Sequence, residues 1–161
     1  MFPHDGSSFR QKGWNMHTII RLFITIAVSI AVESVEAGTA PSCDALVSAL
    51  IQVESRGNDR AIGDRHMKDK AYGCLQIRQP CVDDVNRCFG TKIQAQDLLG
   101  DRSLSVWVCQ KYLETYATRQ RLGREPTDED RARIWNGGPN GWKKESTAAY
   151  WSKVQKALAQ K

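Results

Sequence analysis

The sequence predicts an α+β fold that is mostly helical, with one small β-hairpin. Apolar residues recur at helical spacing in several segments, and capping residues or glycines mark the ends of those segments. One polar, charged stretch between residues 58 and 77 lacks that spacing and has the composition of a hairpin. With 161 residues, 41% hydrophobic and 25% charged, the chain is long enough for one domain with its own core.

The first 37 residues have the pattern of a secretory signal peptide. Basic residues and an uncharged apolar run come first: Arg10, Lys12, Arg21 and Leu22–Val32. Small residues before Gly38 suit a signal peptidase, so we expect cleavage after Ala37 and a secreted domain of residues 38–161, either extracellular or periplasmic. Met16 is an alternative start. An uncleaved anchor is the other interpretation, but the run is shorter than the roughly 20 residues that span a bilayer.

Export would place the cysteines in an oxidising compartment, where disulfides form. The odd number leaves at least one thiol unpaired: Cys43, Cys74, Cys81, Cys88 and Cys109. Cys81 and Cys88 should share a helix, about 10 Å apart along its axis, which is too far for a disulfide. The cysteines are not clustered as zinc ligands are, and His66 is the only histidine after residue 37. We therefore expect no metal or other cofactor.

The net charge of +5 belongs to the secreted domain, because the predicted signal peptide holds as many acidic as basic residues. A basic secreted protein is attracted to polyanions. Bacterial wall polymers, nucleic acids and anionic membranes all meet that description.

The first predicted helix of the domain runs from about Asp44 to Glu54. Ser42 is a candidate N-cap, and Gly57 can end the helix in a left-handed conformation. The polar stretch Asn58–Ile77 follows as the hairpin and would form one wall of a cleft beside Glu54.

Three further helical segments and a capping box complete the predicted architecture. Pro80 can open a helix that Gly90 closes, and apolar residues at helical spacing predict a long central helix from about Asp101 to Arg121. Thr127 begins a Thr-x-x-Asp capping pattern, and a final helix carries apolar residues on one face: Tyr150, Trp151, Val154 and Leu158. The larger aromatic residues are expected in the core rather than in a binding surface: Trp107, Tyr112, Trp135 and Trp151.

Glu54 is the candidate catalytic residue. Its carboxyl group lies at the C-terminal end of an apolar helix, where both burial and the helix dipole disfavour the ionised form. A carboxylic acid that stays protonated near neutral pH is what general acid catalysis requires.

Three short patterns in this order resemble the lysozyme and soluble lytic transglycosylase superfamily. They are Glu54-Ser55, Gly73-x-x-Gln76-Ile77 and Asn136-Gly137-Gly138-Pro139, within a similar stretch from Cys43 to Gln155. The closing stretch, from Ala132 through Tyr150-Trp151-x-Lys153-Val154, is most similar to the invertebrate-type (destabilase) lysozymes. Those enzymes usually have histidine where this chain has Trp135.

The resemblance implies a lysozyme-like fold and assigns roles to individual positions. Glu54 matches the general acid. Asp64, with Asp69 as the alternative, matches a second carboxylate on the hairpin, whereas Gln76, Asn136 and Gly137 match positions that shape a sugar-binding cleft. The residues themselves suggest one addition, because the ring of Tyr72 is suited to forming a wall for a sugar.

The implied activity is hydrolysis of the β-1,4 bond between N-acetylmuramic acid and N-acetylglucosamine in bacterial peptidoglycan, by a secreted monomer. One alternative is a lytic transglycosylase that uses Glu54 alone and leaves anhydro-sugar ends. Another is a lysozyme-like protein that binds peptidoglycan without cutting it. A third interpretation is a helix-turn-helix at Thr127 with a basic flank at Lys143-Lys144, but export makes nucleic acid an unexpected partner. Membrane insertion after signal cleavage is not expected either.

Overall fold

The computed structural model describes residues 43–160, which lie within one compact unit, Thr39–Lys161. The predicted signal peptide and its cleavage site lie outside the described residues. The α-helices and strands of the described part are α1 Cys43–Ser55, β1 Ile62–Gly63, β2 Ala71–Tyr72, α2 Gln79–Phe89, α3 Arg102–Tyr116, α4 Arg119–Leu122, α5 Asp128–Gly137 and α6 Ala148–Leu158. Short 3-10 helices lie at Ala95–Leu98, Gly141–Lys143 and Glu145–Thr147. The predicted α+β, mostly helical fold is confirmed.

Helix α1 is the first element of the hydrophobic core, and its C-terminus lies where the sequence predicts. Its buried apolar residues are Leu46, Val47, Leu50 and Ile51. After Ser55 the backbone turns left-handed at Arg56 (φ 55°) and Gly57 (φ 84°), a conformation that glycine adopts without steric cost. Glu54 therefore lies in the last turn of α1.

The hairpin is short and antiparallel. Ile62 pairs with Tyr72, and Gly63 pairs with Ala71. A further bridge joins Tyr72 to Ile77, with the two backbone N–H groups each donating to the other residue's carbonyl at 2.9 and 3.0 Å. The predicted hairpin is confirmed, and its folding brings residues 63 and 64 beside residues 76 to 78.

Local signals also fix the ends of α2 and α5. Pro80 occupies the first turn of α2, and Gly90 closes it with φ 68°. At α5 the Thr127 hydroxyl accepts from the Asp130 N–H, while the Asp130 carboxylate accepts from the Thr127 N–H at 2.8 Å. This is the predicted capping box.

The prediction of one helix from Asp101 to Arg121 was wrong at its C-terminal end. Helix α3 ends at Tyr116, and Thr118 takes an extended conformation (φ −118°, ψ 150°). Its hydroxyl accepts from the Arg121 N–H and so caps the separate helix α4. A threonine that can bond its own backbone competes with helix continuation, and here the competition interrupts an otherwise apolar pattern.

Helix α3 is central, as predicted. It packs against α1, α2 and α5, and its buried side chains include Val108 and Leu113. Trp107 and Trp151 are half-buried against the same core. No helix within residues 43–160 is long and apolar enough to cross a membrane.

Candidate active site

A cleft of about 440 Å³ lies between α1, the hairpin and α5. Its lining includes four of the predicted site residues, which are Glu54, Asp64, Gln76 and Asn136. The fold therefore brings together residues that the sequence separates by more than 80 positions.

Glu54 is positioned by contacts at both ends of its helical turn. The neighbouring Ser55 hydroxyl donates to the Cys74 carbonyl oxygen at 2.8 Å, which ties the end of α1 to the segment before Gln76. On the other side, the Tyr150 hydroxyl of α6 donates to Glu54 Oε1 at 2.6 Å. These two bonds fix the carboxyl group against the cleft.

The environment of Glu54 favours the protonated acid. Burial raises the pKa of Glu54 above its ordinary value, whereas hydrogen bonds from Tyr150 and Trp135 and the charge of Lys153 act to lower it. Burial also raises the pKa of Tyr150, so the phenol remains a donor to Glu54. The net result is a carboxyl group held in a fixed orientation with its pKa raised.

Asp64 faces the same cleft from the hairpin. It follows β1 with a left-handed φ of 48°, and its carboxylate forms an ion pair with the Arg78 guanidinium, which precedes α2. Asp64 is 36% exposed and Arg78 41% exposed, so water reaches both side chains of this ion pair. Asp69, the alternative second carboxylate, lines a different cavity.

The position of the Gln76 side chain depends on the glycine at residue 63 of the hairpin. It has a left-handed φ of 49°, and its amide donates to the Gly73 carbonyl oxygen at 2.9 Å. A Cβ atom on Gly63 would lie only 2.1 Å from the Gln76 Oε1. The absence of a side chain at Gly63 thus leaves room for the Gln76 amide in the cleft wall.

Asn136, near the end of α5, lines the cleft, whereas Gly137 and Gly141 are closely packed. A Cβ on Gly137 would lie 2.5 Å from the Thr147 methyl group, and one on Gly141 would lie 1.9 Å from the Arg133 carbonyl oxygen. Gly137 does not line the cleft. Its position indicates close packing of α5 against the following turn.

Tyr72 also lies outside the cleft. Ala71 lines the cleft, and Tyr72, the next residue of β2, lines a second cavity of about 190 Å³. Successive side chains of a strand point to opposite faces. This alternation explains why the neighbouring residues Ala71 and Tyr72 line different cavities.

The cleft contains further residues that sequence reasoning missed. Arg78 and Cys81 were not singled out as site residues, yet both line the cleft. Tyr112 lies in the core and Trp135 packs against it, as predicted, and each also lines the cleft. Tyr112 and Trp135 contact each other edge to face, with ring centroids 5.9 Å apart. Only Trp135 carried a signal, because it immediately precedes the Asn-Gly-Gly-Pro pattern.

The thiols do not supply a nucleophile at the site. Cys74, Cys81 and Cys88 are free, and Cys81 and Cys88 share helix α2, as predicted. Burial raises the pKa of Cys74, and it raises that of Cys81 to about 12, so neither forms a thiolate near neutral pH. Within residues 43–160, no group of three or more His, Cys, Asp or Glu side chains is arranged to hold a metal ion.

The fold is similar to solved structures of invertebrate lysozymes. A lysozyme from Tapes japonica has a TM-score of 0.58 and 28% identity, over 70% of this chain and 87% of that one. An inhibitor-bound lysozyme from Meretrix lusoria has a TM-score of 0.59 and 27% identity over the same shares. A chain of the complex between Aeromonas hydrophila PliI and Meretrix lusoria lysozyme gives the same values.

No family model matches the chain, and no curated protein sequence matches it. The structural likeness nevertheless confirms the resemblance to invertebrate-type lysozymes, and it supports a lysozyme-type function.

Proposed function

We propose that this chain is a secreted muramidase that hydrolyses the β-1,4 bond between N-acetylmuramic acid and N-acetylglucosamine in bacterial peptidoglycan. The observation that carries the proposal is the presence of two carboxyl groups in one cleft, where partial burial raises the pKa of Glu54 and Asp64 forms an ion pair with Arg78. Two carboxyl groups with different environments are the requirement of a glycoside hydrolase. The lysozyme neighbours support the same class of reaction.

Glu54 acts as the general acid in this proposal. Its raised pKa favours the protonated form that a general acid requires, and the Tyr150 hydroxyl fixes the carboxyl orientation. Glu54 protonates the leaving oxygen as the glycosidic bond breaks, and the resulting carboxylate then accepts a proton from the attacking water.

Asp64 acts on the sugar that becomes positively charged. Its carboxylate attacks or stabilises the oxocarbenium-like centre, and Arg78 holds it in place from the start of α2. Gln76 and Asn136 bind substituents of the sugar rings through their amide groups.

A lytic transglycosylase is the second candidate, and the Arg78–Asp64 ion pair favours it. A carboxylate that is already engaged by a guanidinium is a weaker nucleophile, so the chemistry would depend on Glu54 alone. In that reaction the sugar's own hydroxyl group displaces the leaving group and forms an anhydro ring.

The experiment is incubation of the purified chain with peptidoglycan, followed by turbidity measurement and mass analysis of the soluble fragments. Hydrolysis gives fragments with reducing ends, and transglycosylation gives fragments lighter by one water. Binding without clearing, in both the native chain and Glu54→Gln, would overturn the enzyme proposal and leave a peptidoglycan-binding protein.

A further inference from the structure

The second cavity lies on the other face of the hairpin from the cleft. Ala71 lines the cleft, and Tyr72 lines the second cavity, together with the hairpin residues Lys68, Asp69 and Lys70. The hairpin thus separates two polar depressions, of about 440 and 190 Å³.

One wall of this cavity is fixed by internal hydrogen bonds. The Gln79 amide donates to Asp83 Oδ1 and accepts from the Ala95 N–H, both at 2.8 Å. These bonds join the start of α2 to the 3-10 helix Ala95–Leu98. The wall is therefore preorganised before any ligand arrives.

The opposite wall presents polar groups that are available to a ligand. Among the described residues, no hydrogen-bond or ion-pair partner is found for the side chains of Lys68, Asp69, Lys70 and Tyr72 on this wall, nor for that of Gln96 on the 3-10 helix of the first wall. Two ammonium groups and one carboxylate give this wall a net positive charge. A half-buried tyrosine ring lies beside them.

This combination of lysines, a carboxylate and a tyrosine ring suits an acidic sugar. An aromatic ring offers a flat apolar surface and a hydroxyl group, amide and carboxylate groups bond sugar hydroxyls, and lysines bind a carboxylate as charge-assisted partners. The volume limits the occupant to about one ring.

We propose that this cavity is a second binding site for a carboxylated amino sugar of the N-acetylmuramic acid type. The identity of the ligand rests on the proposed function, because peptidoglycan contains that sugar in every repeat, and its lactyl carboxylate is free wherever the stem peptide has been removed. A second contact with the glycan would hold the protein on an insoluble wall and raise its effective concentration there.

The test is an NMR titration of the full chain carrying Glu54→Gln, with free N-acetylmuramic acid as the probe and N-acetylglucosamine as its neutral match. We expect N-acetylmuramic acid to shift the signals of Tyr72 and Gln96, and to bind there at least about fivefold more tightly than N-acetylglucosamine. Lys68→Gln combined with Lys70→Gln should remove that preference, and Tyr72→Leu should weaken both sugars. Acetate at the same concentration should not reproduce the shifts.

Shifts confined to the cleft residues Gln76 and Asn136, or equal affinity for the two sugars, would overturn the proposal. Melting temperatures of the variants identify any that fail to fold, and the lysine pair lies on the surface, where its replacement should leave the fold intact. Cleavage by the native chain is measured separately. Absence of cleavage would contradict the proposed function without affecting the binding result, and cleavage without the Tyr72 shifts would remove the second site alone.

Discussion

The two sides of the cleft hold their carboxyl groups in opposite ways. On the helical side, Glu54 is half-buried, and its hydrogen-bond donor Tyr150 lies 96 positions away in the sequence. On the hairpin side, Asp64 is 36% exposed and is held by Arg78, only 14 positions away. Long-range packing thus creates the environment of Glu54, while local chain folding creates that of Asp64.

The difference gives the two carboxyl groups of one cleft different electrostatic environments. Burial raises the pKa of Glu54 and favours a proton donor. Asp64 instead lies beside the positive charge of Arg78, and its side chain is partly exposed to solvent. Substitutions can change one side of the cleft and leave the other intact.

Glu54→Gln should abolish cleavage of peptidoglycan, with a loss of about 10²–10⁴-fold or more, because the amide cannot donate an acidic proton. The measurement is the initial rate of clearing and of fragment release. Glu114→Gln is the matched control, since Glu114 is exposed and pairs only with Lys111 on the surface of α3. Native-like rates in Glu54→Gln would exclude Glu54 as the acid.

Asp64→Asn should reduce hydrolysis by about 10²-fold or more if the hairpin carboxylate attacks or stabilises the sugar. The rate and the masses of the products are measured together. An unchanged rate with anhydro products would show that the hairpin side is not needed and would favour the transglycosylase.

Gly63→Ala should destabilise the hairpin wall by about 1–3 kcal/mol, the usual cost of overpacking. The new methyl group would meet the Gln76 amide, which would have to leave its bond with Gly73. Chemical denaturation gives the stability change, and sugar affinity reports the displaced amide. A variant with native stability and native affinity would show that Gln76 can move aside without consequence.

Tyr150→Phe should shift the pH profile rather than abolish activity. The Tyr150 hydrogen bond lowers the pKa of Glu54, so its removal should raise that pKa further. Because the acid must be protonated, the loss of kcat/KM at alkaline pH should occur at a higher pH than in the native chain. A shift to lower pH would contradict the assigned role of Tyr150.

The sequence predicts those features that local chemistry determines. Gly57, Gly90 and the Thr127 capping box mark helix ends in positions that the structure confirms. The break before Thr118 was missed, because one side-chain bond decides between continuing a helix and starting another.

The features of the candidate site likewise fall into those that the sequence predicted and those that it did not. Glu54, Asp64, Gln76 and Asn136 meet in one cleft, and their sequence patterns pointed to a shared site. The Tyr150 contact with Glu54 could not be predicted, because nothing in the periodicity of α6 identifies which helix its face meets. The face of the hairpin on which Tyr72 lies depends on the strand register. A two-residue strand has too few residues for the sequence to predict that register.

In the proposed mechanism, burial makes Glu54 the proton donor of the cleft. The most direct measurement is a ¹³C NMR titration of the Glu54 carboxyl carbon in the native chain and in Tyr150→Phe. We expect Glu54 to titrate above the ordinary range of a glutamate in the native chain, and higher still in Tyr150→Phe. Titration at or below that range in the native chain would contradict this mechanism.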